Sequence, residues 1–288
     1  MTGKTTSGVS VDADSALSLS AVWRAVDVIS STMAQLPIEI IRETANGGQK
    51  IAKNHPLYYI ISESPNDSAS RYDFMQALVA NAVMTGNGYA YIERPMRIAA
   101  PTALHNIDPV RVTQYIDQEG KVIYRVDGFK DVAARDMIHI KGLTWNGISG
   151  VDLIRHHAEN FGLALANRSY GANFYNNGAH LSGILKHPTK LTKEAHDRLR
   201  ASWRQSYGGS SNTGNTAILE EGMSFEKVGL DPVTAQFLET RRKTIADISR
   251  IFGVPQFLLE DLDRATFNNI EQLTLLFVRH TILPWCER

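Results

Sequence analysis

Apolar residues recur at helical spacing near the start of the chain. Val22, Val26, Ile29, Met33 and Leu36, with Trp23 beside them, predict a helix that Ser18 or Ser20 caps and Pro37 ends. Residues 38–42 then alternate as a strand does, and Asn46-Gly47-Gly48 has the composition of a hairpin turn. His55-Pro56 opens a short helix closed by Ser64-Pro65-Asn66. Phe74, Met75, Leu78, Val79 and Ala82 mark a strongly apolar helix over 72–84, terminated by Gly86 and Gly88. From 89 to 140 the pattern turns to strands, at 89–92, 110–116, 122–126 and 137–140, with turns at 117–120 and Asp127-Gly128.

After a loop over 142–150, Leu153, Ile154, Phe161, Leu165 and Phe174 predict one long helix from about 151 to 175, stopped by residues 176–179. A compact unit follows: a strand at 182–186, a helix at 193–207, a Gly/Ser/Asn loop and a strand at 216–219. A second long helix starts at Asp231-Pro232, a capping residue followed by proline at the first helical position, and ends at Gly253 with Pro255 just beyond. The last helix starts near Asn268 and carries Ile270, Leu273, Leu276, Phe277 and Leu283 on one face. Residues 1–15 are small and polar and are expected to be disordered. Because helical residues run up to Trp285, the chain is read as stopping short of its natural end. The mixture of segregated helices and strands predicts an α+β fold.

Composition adds constraints but no function. The 288 residues carry 30 Lys+Arg against 30 Asp+Glu, so no global field draws the chain to nucleic acid or membrane. One cysteine, Cys286, excludes an internal disulfide and fits a reducing compartment. No apolar run reaches the roughly 20 residues of a membrane span, and no basic-then-apolar leader opens the chain, so a soluble protein made in a cytoplasm is expected.

Catalytic signals are weak. Gly3-Lys4-Thr5-Thr6 resembles the tail of a phosphate loop but lacks the earlier glycine and the preceding buried strand. Gly86-Asn87-Gly88 follows a helix instead of a strand, which fits a helix cap and turn. His156 and His157 are adjacent, so they point about 100° apart on a helix and do not chelate from one face. His139, between two isoleucines, reads as the polar face of one pleat, and Cys286 has no His/Asn arrangement to activate it. The charge clusters are more substantial. Lys186, Lys190, Lys193, Arg198, Arg200 and Arg204 form a run of six bases against two acids over 186–204. It suits DNA phosphates, an acidic partner, or simply a solvated helix face. Arg241, Arg242, Lys243 and Arg250 interleave with Glu239 and Asp247, and the Glu239/Lys243 spacing is that of a stabilising helix pair.

The order of several fragments resembles the portal proteins of tailed bacteriophages, of the compact siphophage type. Residues 237–272 carry a charged helix, Phe252-Gly253-Val254-Pro255, an acidic turn, then Ala265-Thr266 and Asn269-Ile270-Glu271. Trp23 within 21–26, Ala34-Gln35-Leu36-Pro37, Thr85-Gly86-Asn87-Gly88-Tyr89-Ala90, Asp108-Pro109, Asp136 to Ile140 and residues 174–179 fit the same family in the same order. The resemblance implies a wing at 16–148, a first stem helix at 149–179, a clip at 180–230 and a second stem helix at 231–253. A tunnel-loop region and following helix would occupy 254–288, with the crown absent.

It further implies a ring of about twelve subunits that conducts double-stranded DNA at one capsid vertex. The partners would be the terminase large subunit, head-completion or adaptor proteins, and major capsid or scaffold proteins. The location would be the virion, after assembly in the host cytoplasm. No enzyme activity, cofactor or membrane is implied. The basic cluster would be the clip's partner or DNA surface, and Asp263, Arg264 and Thr266 would lie in the tunnel loop. The rival readings are another adaptor ring of the head–tail connector and a metal-dependent nucleic-acid-processing enzyme. The latter needs a carboxylate cluster that the Asp/Glu spacing does not assemble.

Overall fold

The computed structural model describes residues 3–44, 46–96, 100–129, 131–176, 183–188, 191–207, 219, 222–227, 231–260 and 267–288. Residues 1–15, expected to be disordered, are ordered from Gly3 onward. β1 (Gly3–Lys4) pairs antiparallel with β2 (Ser10–Val11), and α1 (Ala13–Leu17) follows. Asp12 and Ser15 close a reciprocal capping box on α1. Local capping thus starts a helix ahead of the expected one. α2 (Ser20–Gln35) then begins at Leu19 without a side-chain cap, so neither Ser18 nor Ser20 plays the expected part. It stops at Leu36, as Pro37 requires.

β3 (Ile41–Glu43) and β4 (Gln49–Ile51) form the expected hairpin, followed by the short α3 (Tyr58–Ser62). α4 (Arg71–Thr85) is capped by the Ser70 hydroxyl, which accepts from the Asp73 amide, and ends at Gly86 with φ +77°. β5 (Asn87–Glu93), β6 (Ala103–Ile107), β7 (Val112–Ile116), β8 (Val122–Val126), β9 (Val132–Ala133) and β10 (Met137–Lys141) form two three-stranded antiparallel sheets, ordered β10-β5-β6 and β7-β8-β9. α5 (Leu153–His156) and α6 (Ala158–Asn176) replace the single helix expected over 151–175. His157, at φ −107° and ψ 22°, breaks the helix. The break lets α5 pack on α4 while α6 turns to meet a later helix.

β11 (Gly183–Lys186), α7 (Lys193–Tyr207) and β12 (Ser224–Lys227) build the small unit. The strand expected at 216–219 falls mostly outside the described residues, and β12 pairs with β11 instead. α8 (Asp231–Phe252) ends at Gly253, φ +67°, with a 3-10 turn over Gln256–Leu259 beyond. α9 (Phe267–Phe277) widens into a π turn over Val278–Ile282 and continues as α10 (Leu283–Cys286). The π turn advances the register, so Phe277, Thr281 and Ile282 are buried while Leu276 and Leu283, expected on the apolar face, are exposed. Thr281 donates its hydroxyl to the Gly253 carbonyl at 2.6 Å, fastening this last segment to the end of α8.

Three apolar layers follow from these elements. Val22, Ala25, Val26 and Ile29 of α2 lie at the centre of the helical core. They join Val79 and Val83 of α4, Ile154, Phe161 and Leu165 of α5–α6, and Ile248 and Phe252 of α8. The opposite side of α4 buries Phe74 and Leu78 against Ala90 and Leu104 of the first sheet. Being covered on both sides, α4 is apolar nearly all round. Gly88 permits the close approach, because a Cβ there would lie 2.4 Å from the Leu78 carbonyl oxygen. Between the two sheets, Tyr89, Tyr124, Val126, Val132 and Met137 form the third layer.

His139, expected as the polar face of one pleat, belongs to that third layer. Its ring stacks on Tyr89 with centroids 4.5 Å apart. Its Nε2 lies 3.0 Å from Asn87 Oδ1 and carries the proton, while Nδ1 accepts from the Tyr124 hydroxyl at 3.2 Å. Burial pushes the imidazole down to about 4, with the Lys141 charge adding to the shift.

Candidate assembly surface

Two features position the long helices. One is a close backbone junction between the turn after α4 and the loop before α5. A Cβ at Gly150 would sit 1.7 Å from the Gly86 carbonyl oxygen, and one at Gly86 would sit 2.1 Å from the Val151 oxygen. Gly142 donates its amide to that same Gly86 oxygen at 2.8 Å. Asn87 clips Gly150 on both sides, accepting from its amide at 2.8 Å and donating to its carbonyl at 3.1 Å. The motif once read as a glycine turn therefore also fixes the start of α5.

The other feature is the N-terminal segment. The Thr6 amide and hydroxyl donate to the Glu159 carboxylate, the hydroxyl at 2.6 Å. The Thr5 side chain covers Gly162, where a Cβ would lie 2.7 Å from its hydroxyl oxygen. Residues small enough to look disordered in sequence are the ones that fit against a glycine on α6.

α6 and α8 run antiparallel. Phe161 meets Phe252 with ring centroids 6.4 Å apart, while Gly171 and Ala172 share a cavity wall with Arg241. Open depressions flank their seam. The larger, about 430 Å³, lies between α6, α8 and the start of α2; it is walled by Leu19, Ala21, Ala164 and Ile245, with Arg168 and Arg241 at its edge. The other, about 250 Å³, is lined by Thr6, Glu159, Leu163 and Asp247. Apolar residues of α6 occur on all sides, yet Leu163 is 53% exposed and Tyr170 48%.

Antiparallel α6 and α8 frame the β11–α7–β12 unit. On α7, Ala195, Leu199 and Trp203 follow one another at four-residue spacing as a half-covered stripe, and Trp203 stacks on Phe225 at 6.0 Å. None of the described side chains of this unit is fully buried.

The sequence-predicted site residues are dispersed. Lys186 pairs with Glu226 diagonally across the two strands. Lys193 is the first residue of α7, where the helix dipole opposes a cation. Arg198 and Arg200 are exposed, and Arg198 sits on a different flank of α7 from Lys193 and Arg200. Lys190 and the Arg204 side chain lie outside the described residues, as do Asp263, Arg264 and Thr266. On α8, Lys243 pairs with Glu239 at 2.9 Å, holding that carboxyl below its usual range, and Arg250 pairs with Asp247. These two cations stabilise their own helix. Arg241 instead edges the larger depression, and Arg242 is exposed. Among the described residues, no three of His, Cys, Asp and Glu gather as a metal site, and no helix is long and apolar enough to cross a membrane.

Sequence reasoning missed the glycine junction, the Glu159 anchor and the exposed side of α6. The available signal for the last was a long helix without a polar face.

Comparison with known proteins agrees with this architecture. The family model described as phage portal protein matches residues 20–288. A probable portal protein of Streptomyces phage phiC31 is 29% identical over 98% of this chain and 64% of its own length. The portal protein of Enterobacteria phage HK97 is 28% identical, over 97% of this chain and 67% of its own length. The chain thus spans about two thirds of these curated relatives. Among solved structures, a chain of the virion of a native gene transfer agent particle has a TM-score of 0.67 at 22% identity, covering 99% of this chain and 79% of that one. An HK97-family phage portal protein from Corynebacterium diphtheriae has a TM-score of 0.63 at 17% identity, covering 94% and 86%. At these identities the structures establish a shared fold.

Proposed function

Because this chain belongs to the phage portal protein family, we propose that it is the subunit of a ring-shaped channel at one capsid vertex, through which double-stranded DNA is packaged and later ejected. In this reading residues 16–148 form the wing and α6 and α8 the stem. The β11–α7–β12 unit is the clip, docking the terminase large subunit during packaging and head-completion proteins afterwards. Residues 254–288 hold the tunnel-loop region and the helix after it. Wing contacts would meet the major capsid or scaffold proteins. The location is the virion, reached from the host cytoplasm during assembly. The role is structural, with ATP hydrolysis left to the docked motor.

The observation that carries the reading is the small unit framed between two antiparallel helices, within a family match that runs almost the whole chain. Its physics suits a ring. Head-to-tail closure joins two different faces of each subunit, and α6 leaves apolar surface for a neighbour to cover. A balanced net charge suits a conduit, since every retained phosphate contact would hold the moving DNA. Native mass spectrometry and electron microscopy of the full-length protein test it. Rings of about twelve subunits are expected. An obligate monomer or dimer under all conditions would sink the proposal, and a ring with no terminase affinity would favour a different head–tail adaptor.

A further inference from the structure

Resting on the reading that residues 254–288 hold the tunnel-loop region, we propose that Arg24 of α2 is a positioning residue for that region. Oriented by Asp27, it fixes the turn from which the chain departs at Glu260. The beginning of the turn is secured from two sides. Ser249 of α8 donates its hydroxyl to the Val254 carbonyl at 2.7 Å, and Thr281 reaches the Gly253 carbonyl. Leu258 and Leu259 then pack against the helical core. Apolar packing is non-directional, so it sets how deep the turn sits and leaves its carbonyls free to rotate. Arg24 removes that freedom. Its Nε donates to the Leu258 carbonyl at 3.1 Å, across 234 positions of sequence.

Asp27 holds the guanidinium in place. One carboxylate oxygen accepts from Arg24 Nη1 at 3.0 Å, and the other accepts from the Gln76 amide of α4 at 3.4 Å. The clamp therefore runs from α4 through α2 to the turn. Glu260 shows what it imposes. With φ at 65°, it is the one residue other than glycine in the left-handed region among the described residues. A side chain seldom takes that conformation unless its surroundings over-determine it. The Glu260 carboxylate lies 3.9 Å from Arg24 Nε but is 81% exposed, so this ion pair is weak and the Leu258 carbonyl is the working contact.

Three variants of the full chain provide the test: R24A, D27A and E260Q. Hydrogen exchange follows the Leu258 and Glu260 amides, which bond the Pro255 and Phe257 carbonyls. R24A should speed exchange there about fivefold, the effect of one lost bond. Exchange up to Val254 should not change, and melting should fall by no more than about 4 °C. D27A should loosen the turn likewise, although its carboxylate is bonded to Arg24 and Gln76 and not to the turn. E260Q should leave exchange as it is. In assembled proheads, R24A should form rings that package double-stranded DNA more slowly than the wild type.

Unchanged exchange in R24A or D27A would overturn the clamp. So would an E260Q turn as loose as that of R24A, since the carboxylate would then be the contact. Rings of R24A that package at the wild-type rate despite a loosened turn would overturn the positioning role and leave the ring reading standing. A wild type that never oligomerises would overturn the ring reading and with it the positioning role, while the exchange rates would still decide the clamp.

Discussion

Gly150→Ala isolates a single physical effect. Gly150 is not among the residues with positive φ, so alanine is conformationally acceptable and the cost is steric. Its Cβ would lie 1.7 Å from the Gly86 carbonyl oxygen, against an ordinary C···O contact of about 3.3 Å. The loop before α5 must therefore retreat by about 1.6 Å. Gly86 holds its place, because it closes α4 in the left-handed conformation and packs so closely that a Cβ on it would lie 2.1 Å from the Val151 oxygen. A retreat of that size lengthens the two Asn87–Gly150 bonds and the Gly142–Gly86 bond beyond hydrogen-bonding range.

Three bonds at about 1 kcal/mol each give about 3 kcal/mol. In a chain of this size that lowers the melting temperature by about 6–12 °C. Gly147→Ala is the matched control. There φ is +73° and a Cβ would meet nothing within 4 Å, so only the left-handed strain of about 1 kcal/mol applies. Thermal and urea denaturation of both variants, with Asn87→Ala and the Asn87/Gly150 double variant, complete the measurement. The bonds to Gly150 are lost once, so the double variant should fall short of additivity by about 2 kcal/mol. A Gly150→Ala protein melting within about 2 °C of wild type, or strict additivity with Asn87→Ala, would refute the junction as described.

The other expectations rest on separate contacts. His139 titrates at about 4 in the fold against an ordinary 6.5, so its contribution is complete above pH 6.5 and is lost as pH falls towards 4. The loss is about 2 kcal/mol after discounting for the ring's remaining solvent contact, and His139→Gln should flatten that part of a urea-stability profile; parallel profiles would deny it. Glu159→Ala removes the acceptor of two Thr6 donors, costing about 1–2 kcal/mol and raising hydrogen exchange over residues 3–11, whereas unchanged exchange would show that the segment holds itself. Reversing Lys190, Lys193 and Arg198 to glutamate should lower terminase docking about tenfold or more without lowering the melting temperature, and normal packaging would reduce the cluster to a solvated face. Gly142→Ala meets Gly86 at 3.3 Å, close enough to shift the junction by a few tenths of an ångström without unfolding it; the ring-size distribution should broaden in native mass spectra, and an unchanged distribution would uncouple junction from ring.

What was legible in sequence is what local backbone chemistry dictates. Gly86 ends α4, Pro37 stops α2, and Gly253 with Pro255 ends α8, each by a rule that acts within a few residues. The break at His157 was not legible. It is a non-helical pair of dihedrals serving two packing partners, α4 and α8, that lie far apart in sequence. The N-terminal segment was missed for a similar reason. Thr5 and Val11 are buried, but two short strands leave no periodicity to read, and Gly162 is their complement only in three dimensions. The α6–α8 pair was visible as two long helices around a small unit. The depressions beside its seam were not, because Leu19 and Thr6 are brought to α6 and α8 only by the tertiary fold.

The junction sets the direction of α6, and in the ring reading that direction matters. His139 hydrogen-bonds Asn87, Asn87 holds Gly150, Gly150 precedes the cap of α5, and the break at His157 hands the direction to α6. Closing a ring of about twelve copies needs a rotation of about 30° per step, and thirteen copies need about 28°. A tilt of two degrees or so at each subunit is therefore enough to change which ring closes. Contacts at the junction act about 5 Å from the backbone they orient, so a displacement of about 0.2 Å there corresponds to such a tilt. A loose turn would leave the direction of α6 undefined. Glycines packed backbone to backbone, with an asparagine bonded to both sides of one of them, define it. This gives a physical reason for three glycines and an asparagine to meet at the turn that leads into α5 and α6.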